Sequence, residues 1–147
     1  MKVFLDTSAF AKRYAAEQGS DKVAKLCQQA DNLVVSVICL PELVSTLSRL
    51  LREKKITKAD YRKLKGDAMM DLADIDICQI TSAVLASAVS LLETNPLRAM
   101  DALHVACAVA VEADIFVSAD YRQLAAARKA GLKIVDVSRT LTATDRR

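Results

Sequence analysis

The sequence predicts an α/β fold, a parallel sheet covered by helices on both faces. Five short apolar runs alternate with helical segments along the chain, and no linker, repeat or low-complexity tract interrupts them. The composition, 52% hydrophobic with 3 Gly and 2 Pro in 147 residues, is typical of a chain that buries its own core. We therefore expect a single domain.

The N-terminal elements follow from apolar runs and turn signals. Asp6 or Thr7 can cap the first helix, and Gly19 breaks the chain before Ser20, which can cap the second. The predicted elements here are strand KVFLD (2–6), helices over 7–17 and 21–30, and strand LVVS (33–36).

The middle of the chain predicts two helices and an edge strand. Four leucines share one stripe of CLPELVSTLSRLLREKK, as on an amphipathic helix. Thr57 caps the next helix, with Asp60 at its third position as in a capping box. DIDICQI alternates isoleucine with polar residues, as an edge strand does. The predicted elements are helices over 39–55 and 58–73 and a strand over 74–80.

The C-terminal part repeats the alternation. Asn95 and Pro96 suggest a cap and first position of a helix, and Gly131 closes the last helix. The predicted elements are helices over 81–94, 97–111 and 121–130, strands within DIFVSAD (114–120) and LKIVDV (132–137), and a frayed tail, TATDRR (142–147).

Several functional classes have no support in the sequence. The four cysteines form no C-x-x-C pair, which favours free thiols in a reducing cytosol over zinc or a disulfide framework. No apolar run reaches the ~18 residues of a membrane span. The N-terminus is predicted to be a strand rather than a signal peptide. Phosphate-loop, dinucleotide-binding and nucleophile-elbow motifs do not occur.

Positive charge is concentrated in residues 49–65. This segment holds eight Lys or Arg against two acids, so it carries +6, and the remainder sums to −3 because the whole chain carries +3. A basic patch beside an acidic body suits a polyanionic partner. A solvated helical surface explains the same pattern, and both interpretations stay open.

Two aspartates follow strand ends. Asp6 closes the first predicted strand and Asp120 follows the fourth. If these strands are neighbours in a parallel sheet, both acids lie at the edge where such folds bind ligands. Each one alone is equally well explained as a helix N-cap.

Asp101 is harder to explain structurally. It and His104 are the only polar residues of AMDALHVACAVAV (99–111), and a buried carboxylate is costly unless it is paired or bound to a metal. His104 shares its helix face and can be a ligand, but a single His more often packs and hydrogen-bonds locally. Glu42, near a helix start, is by itself explained as an acid placed at the helix dipole.

Four segments in this order resemble a family. FLDTSAF, PELVSTLSRL, RAMDALHVACA and FVSADYRQLAAARKAGLKIV are similar to segments of PIN domains, and most of all to VapC-type ribonuclease toxins. The resemblance covers about residues 1–138, and it implies one domain over 1–138 with a short C-terminal tail over 139–147. It implies a three-layer α/β/α sandwich whose five-stranded parallel sheet has the order 3-2-1-4-5, in which strands one and four are neighbours.

The resemblance also implies a cluster of four acids that acts as a metal-dependent endoribonuclease. These are Asp6, Glu42, Asp101 and Asp120. Asp6 and Asp101 are expected to be the firmest ligands of Mg²⁺ or Mn²⁺, Asp120 to hold a second ion or an outer-sphere water, and Glu42 to bind metal or orient the nucleophile. Thr7 and Ser118 match positions that orient ligands, although capping and turn roles explain them as well.

The partners implied are an RNA substrate, a second copy of the chain and a small VapB-like antitoxin, in the cytoplasm and with no membrane. Basic side chains of 49–65, with Lys12 and Arg13, are candidates to bind the RNA backbone. Candidate apolar surface for protein partners lies on the helices over 21–30 and 40–73. A non-cleaving RNA- or protein-binding module and a nuclease acting on DNA stay open as alternatives.

Overall fold

A computed structural model describes residues 1–139, so the predicted frayed tail, 142–147, lies outside the described residues. Within the described range the strands are Lys2–Leu5 (β1), Asn32–Ser36 (β2), Asp76–Cys78 (β3), Ile115–Ser118 (β4) and Lys133–Asp136 (β5). The helices are Thr7–Ala11 (α1), Ser20–Gln29 (α2), Cys39–Arg52 (α3), Lys58–Leu72 (α4), Ser82–Thr94 (α5), Ala99–Ala110 (α6) and Tyr121–Lys129 (α7).

The five strands form one parallel sheet in the order β3-β2-β1-β4-β5. This confirms the predicted fold class and order, with the short β3 at an edge. Because β1 lies between β2 and β4, the chain leaves two neighbouring strands at the same edge, after Leu5 and after Ser118.

Side chains alternate between the two faces of the sheet and build two cores. Phe4 of β1 stacks on Phe116 of β4, with ring centroids 5.9 Å apart, in a core shared with α5, α6 and α7. Val3 and Leu5 point to the other face, into a core with α1 to α4. These two helical layers make the predicted three-layer sandwich.

The first two helices depart from prediction. The helix predicted over 7–17 ends at Ala11, where the backbone continues in tight turns with N–H groups bonded three residues back. Ser20 does not cap α2, because its hydroxyl donates to Ala15 O and accepts from Glu17 N. The N-cap is Gly19, at φ 86°.

The start of α6 is also corrected, with consequences for the site. Asn95 does not begin the helix, since its amide donates back to Leu91 O at the end of α5. The N-cap is Arg98, and Asp101 is therefore in the first turn, where its Oδ2 accepts from Arg98 N at 3.4 Å. Asp101 therefore lies where the helix dipole favours an acid, and capping accounts for part of its position.

Two surface predictions can be compared with the structure. The large exposed apolar side chains of the helices include Met69 and Met70 on α4 and Leu85, Val89 and Leu92 on α5, whereas α2 contributes none. The candidate apolar surface on 21–30 therefore has no large exposed side chain and is limited to small residues such as Ala24 and Cys27, whereas α5 carries a stripe that was not predicted. No helix within residues 1–139 has the length and apolar character needed to span a membrane.

Candidate active site

The edge of the sheet beyond β1 and β4 holds two linked aspartates. Asp6 follows β1 as the N-cap of α1, and its Oδ1 accepts from Ala9 N at 2.9 Å. Asp120 is the N-cap of α7, and its Oδ1 accepts from Arg122 N at 2.9 Å. Both residues are caps, as each alone suggested, and both also face one cavity.

Ser118 connects these two acids. Its buried hydroxyl donates to Asp6 Oδ2 at 2.6 Å and accepts from Asp120 N at 2.9 Å. Ser8 supports Asp6 from the other side, donating to Oδ1 at 2.7 Å while it accepts from Ala119 N at 3.0 Å. Asp6 is 1% exposed, so it depends on these donors for the solvation that water would supply.

Burial raises the pKa of the Asp6 carboxyl, and the hydrogen bonds from Ser118, Ala9 and Ser8 only partly oppose that rise. The residues around Asp6 therefore stabilise its ionised form only in part. A cation at this edge would favour the ionised form.

Glu42 reaches the same cavity from the first turn of α3. Its Oε1 accepts from the Thr7 hydroxyl at 2.7 Å and is in short contact with His104 Nε2. Burial opposes ionisation of Glu42, but the bonds from His104 and Thr7 outweigh it and lower the pKa of the carboxyl. Glu42 is thus held as a carboxylate by neutral or cationic donors of its own chain.

Asp101 occupies the α6 side of the cavity and is only half-buried, less than its apolar helix suggested. Its Oδ1 accepts from Gln123 Nε2 at 3.0 Å. Burial raises the pKa of Asp101, the Arg98 N–H opposes this, and the negative charges of Asp120 and Glu42 add to the rise. These carboxylates are therefore close enough to repel one another.

All four predicted acids line one cavity of about 780 Å³. Two arginines, Arg49 of α3 and Arg98 before α6, line it as well, and neither pairs with a carboxylate among the described residues. The cavity thus combines an acidic floor with two cationic side chains. Such a combination suits a divalent cation together with an anionic ligand.

The donor set fits a hard cation, since it consists of carboxylates, but it is not assembled into a ready metal centre. Within residues 1–139, no three His, Cys, Asp or Glu groups are grouped as a metal centre would require. The role of these residues as metal ligands stays a prediction.

The lone histidine behaves as local packing predicts. His104 is 1% exposed and contacts Glu42 and Thr7, and no bond from it to Asp101 is formed. Thr7 and Ser118, which were left between orienting and capping roles, both hydrogen-bond directly to acids of the cavity.

Sequence reasoning missed three residues of the site. Ser8 had a signal, since it lies two positions after Asp6 in the same cap. Gln123 lies three residues after the N-cap Asp120, and Arg98 lies three residues before Asp101. Residues three positions apart at a helix start lie on the same face, so each is placed near a cavity acid. These signals are too common to have singled the residues out.

The predicted basic surface is present in part. Seven of the eight cations in 49–65 are exposed, all except Lys65: Arg49, Arg52, Lys54, Lys55, Lys58, Arg62 and Lys63. Lys55 pairs with Glu53 at 3.0 Å and Lys63 with Asp67 at 2.8 Å. Arg49 extends this surface to the cavity.

Lys12 and Arg13 are engaged elsewhere. The mostly buried Lys12 ammonium donates to Gln18 O at 2.6 Å. The Arg13 guanidinium lies over the Phe10 ring and pairs with Asp71 at 3.5 Å. Neither lines the acidic cavity, so they are poor candidates for contacts to a ligand there.

Comparisons with known proteins agree with this architecture. The family model described as PIN domain matches residues 3–130. Ribonuclease VapC45 of Mycobacterium tuberculosis is 29% identical over 109 residues, which cover 74% of this chain and 76% of that protein.

Solved structures share the fold at low identity. A VapBC-1 structure from nontypeable Haemophilus influenzae has a TM-score of 0.69 at 14% identity and covers 95% of this chain and 100% of that one. Mycobacterium tuberculosis VapC20, described as a sarcin–ricin loop cleaving toxin, has a TM-score of 0.68 at 16% identity and covers 91% and 98%.

Proposed function

This chain belongs to the PIN-domain family, and from that premise we propose that it is a metal-dependent endoribonuclease, the toxin of a VapBC-type toxin–antitoxin pair. The observation that carries the proposal is the convergence of Asp6, Glu42, Asp101 and Asp120 on one cavity at the carboxyl edge of a parallel sheet. The similarity to Ribonuclease VapC45 supports RNA as the substrate.

Mg²⁺ or Mn²⁺ is the proposed cofactor, because hard cations prefer carboxylate oxygens. Asp6 and Asp101 are the proposed ligands, because burial raises the pKa of each carboxyl and a bound cation would favour the ionised form. Asp120 is proposed to take part directly or through water, since its Oδ2 has no hydrogen-bond donor among the described residues. When bound, the metal would supply an activated water and offset charge on the phosphoryl group.

The other residues of the cavity divide the remaining work. Glu42, held as a carboxylate, is proposed to orient the attacking water and to accept its proton. Arg49 and Arg98 are proposed to contact the phosphates that flank the scissile bond. The exposed cations after Arg49 then extend the contact along the RNA backbone, which predicts salt-dependent binding.

Protein partners are proposed from the relatives. Structures of VapBC complexes show the fold with an antitoxin, so we propose a small VapB-like antitoxin that covers the acidic cavity, and a homodimer as the resting form. We also propose a cytoplasmic location, which the proposed RNA substrate and the free thiols support. Co-expression with the product of a neighbouring small gene and measurement of the complex mass test these partners.

The deciding experiment is cleavage of structured RNAs by the purified protein with Mg²⁺, with Mn²⁺ and with a chelator. Asp6→Asn and Asp101→Asn should each abolish cleavage, while Asp74→Asn, at an exposed acid that does not line the cavity, should not. Cleavage that survives in both cavity variants contradicts the proposal.

The same preparation separates the alternatives. Isothermal titration that finds RNA binding without divalent-ion binding favours a non-cleaving module. Competition between RNA and DNA of the same sequence identifies a nuclease that acts on DNA.

A further inference from the structure

The single histidine of the chain is buried and is also one of the residues that line the candidate active-site cavity. His104 lies on α6, one turn after Asp101, and is 1% exposed. Its Nε2 contacts Glu42 Oε1 and lies 3.1 Å from Thr7 Oγ1. Its Nδ1 is buried and has no hydrogen-bond partner within the described residues.

The hydrogen-bond inventory assigns the proton positions. The Thr7 hydroxyl has one proton, and it is donated to Glu42 Oε1 at 2.7 Å. Toward His104, Thr7 can therefore only accept, and a carboxylate can only accept as well. Nε2 must carry a proton and donate it, because otherwise three acceptors would face one another.

One oxygen of Glu42 is fully engaged by this arrangement. Oε1 receives both the Thr7 hydroxyl and the His104 N–H, whereas Oε2 receives no hydrogen bond from the described residues. Glu42 is partly exposed and lines the acidic cavity. Oε2 is thus the oxygen that remains for a ligand in the cavity.

We propose that His104 is a positioning residue, which together with Thr7 fixes Glu42 by Oε1 so that Oε2 alone serves the reacting water. This inference rests on the proposed function, since it gives a task to a residue of the same site. His104 also lines the cavity, but its Nε2 is occupied by Glu42 and Thr7, so we assign it no direct contact with substrate or metal.

A first test needs neither RNA nor metal. Because the chain has one His, a long-range ¹H–¹⁵N correlation spectrum reports on His104 without assignment ambiguity. We expect a slowly exchanging proton on Nε2, whose chemical shift changes in Glu42→Gln and stays the same in Glu17→Gln, a more exposed acid outside the cavity. The assignment of the proton to Nε2 is wrong if the proton is found on Nδ1 only, or if its chemical shift does not change in Glu42→Gln.

The second test separates positioning from packing. His104→Leu removes the donor, and a supporting hydrogen bond of this type is typically worth about 10- to 100-fold in activity. We expect that loss in kcat with KM nearly unchanged. His104→Gln, which places an amide N–H near the former Nε2, should recover most of it.

Val105→Ala is the matched control, because Val105 is the next residue of α6, is fully buried and does not line the cavity. Val105→Ala should lower the melting temperature, while its kcat stays within about twofold of the parent value. That change is well under the loss of at least about tenfold expected for His104→Leu. The proposal is wrong if His104→Leu behaves like Val105→Ala, or if His104→Gln is no better than His104→Leu. If the parent protein cuts no RNA but Glu42→Gln changes the shift of the His104 proton, the proposed function is wrong. The contact between His104 and Glu42 is then still supported.

Discussion

Ser118→Ala should be costly, because this hydroxyl holds two parts of the acidic edge at once. Ser118 is fully buried, donates to the Asp6 carboxylate at 2.6 Å and accepts from Asp120 N at 2.9 Å. A hydrogen bond to a charged group contributes about 1.5–3 kcal/mol and a neutral one about 1 kcal/mol. We expect a loss of about 3 kcal/mol at neutral pH, or roughly 6–12 °C in melting temperature for a chain of this size.

The pH dependence of that loss identifies its origin. The folded-state pKa of Asp6 is raised, so Asp6 adds stability below its unfolded pKa, and that stability is lost as pH rises through the folded pKa. Ser118 offsets part of this loss by bonding the ionised form. The cost of Ser118→Ala should therefore be largest at neutral pH and should shrink as acid protonates Asp6.

Thermal unfolding of the parent and Ser118→Ala across pH is the assay, with Ser90→Ala at an exposed position of α5 as control. The control should be neutral or slightly stabilising, since Ala favours helix. A cost for Ser118→Ala that is the same in acid as at neutral pH would refute the reasoning, because it would mean that the hydroxyl supports packing and not the carboxylate. In the cleavage assay the same variant should need a higher pH for full activity.

Three further predictions concern the fold and the charge of the site. Thr57→Ala should cost about 1 kcal/mol in urea unfolding, because it removes the side-chain bond of the α4 N-cap, and should leave cleavage unchanged. Gly19→Ala should cost more than ~3 kcal/mol or prevent folding, since the added Cβ would lie 1.8 Å from Val137 O at a backbone φ of 86°. Asp101→Asn relieves repulsion from Asp120, so it should raise the melting temperature slightly without metal and should reduce the further rise on adding Mg²⁺, both measured by calorimetry.

The sequence predicted the fold better than it predicted the details of the site. Alternating strands and helices gave the class, and the family resemblance gave the strand order, which places Asp6 and Asp120 at one edge. Helix ends were harder, because Asn95 satisfies the end of α5 instead of starting α6. That choice depends on which backbone carbonyl is nearby in space, and local propensity does not contain it.

Contacts between residues that are far apart in the sequence could not be predicted either, because local propensity does not contain them. Glu42 and His104 are 62 positions apart, and their pairing exists only because the folded chain brings α3 and α6 to one cavity. Lys12 shows the opposite error, since its charge suggested a polyanion contact while its ammonium is bonded to a nearby backbone carbonyl. Charge read along the chain does not distinguish a free cation from one already used.

The acids of the cavity share one feature, since each accepts hydrogen bonds from donors of its own chain. Among the described residues, none of these acids forms a salt bridge with an arginine. The donors are Ser8 and Ser118 for Asp6, Thr7 and His104 for Glu42, Gln123 for Asp101, and the Arg122 backbone N–H for Asp120. Hydroxyl, amide and imidazole donors solvate a carboxylate without neutralising it, so the net negative charge of the cavity is kept. An arginine in the same place would stabilise the fold more and would compete with a metal for the same oxygens. The fold therefore accepts raised carboxyl pKa values at Asp6 and Asp101 and keeps an acidic cavity available for a cation.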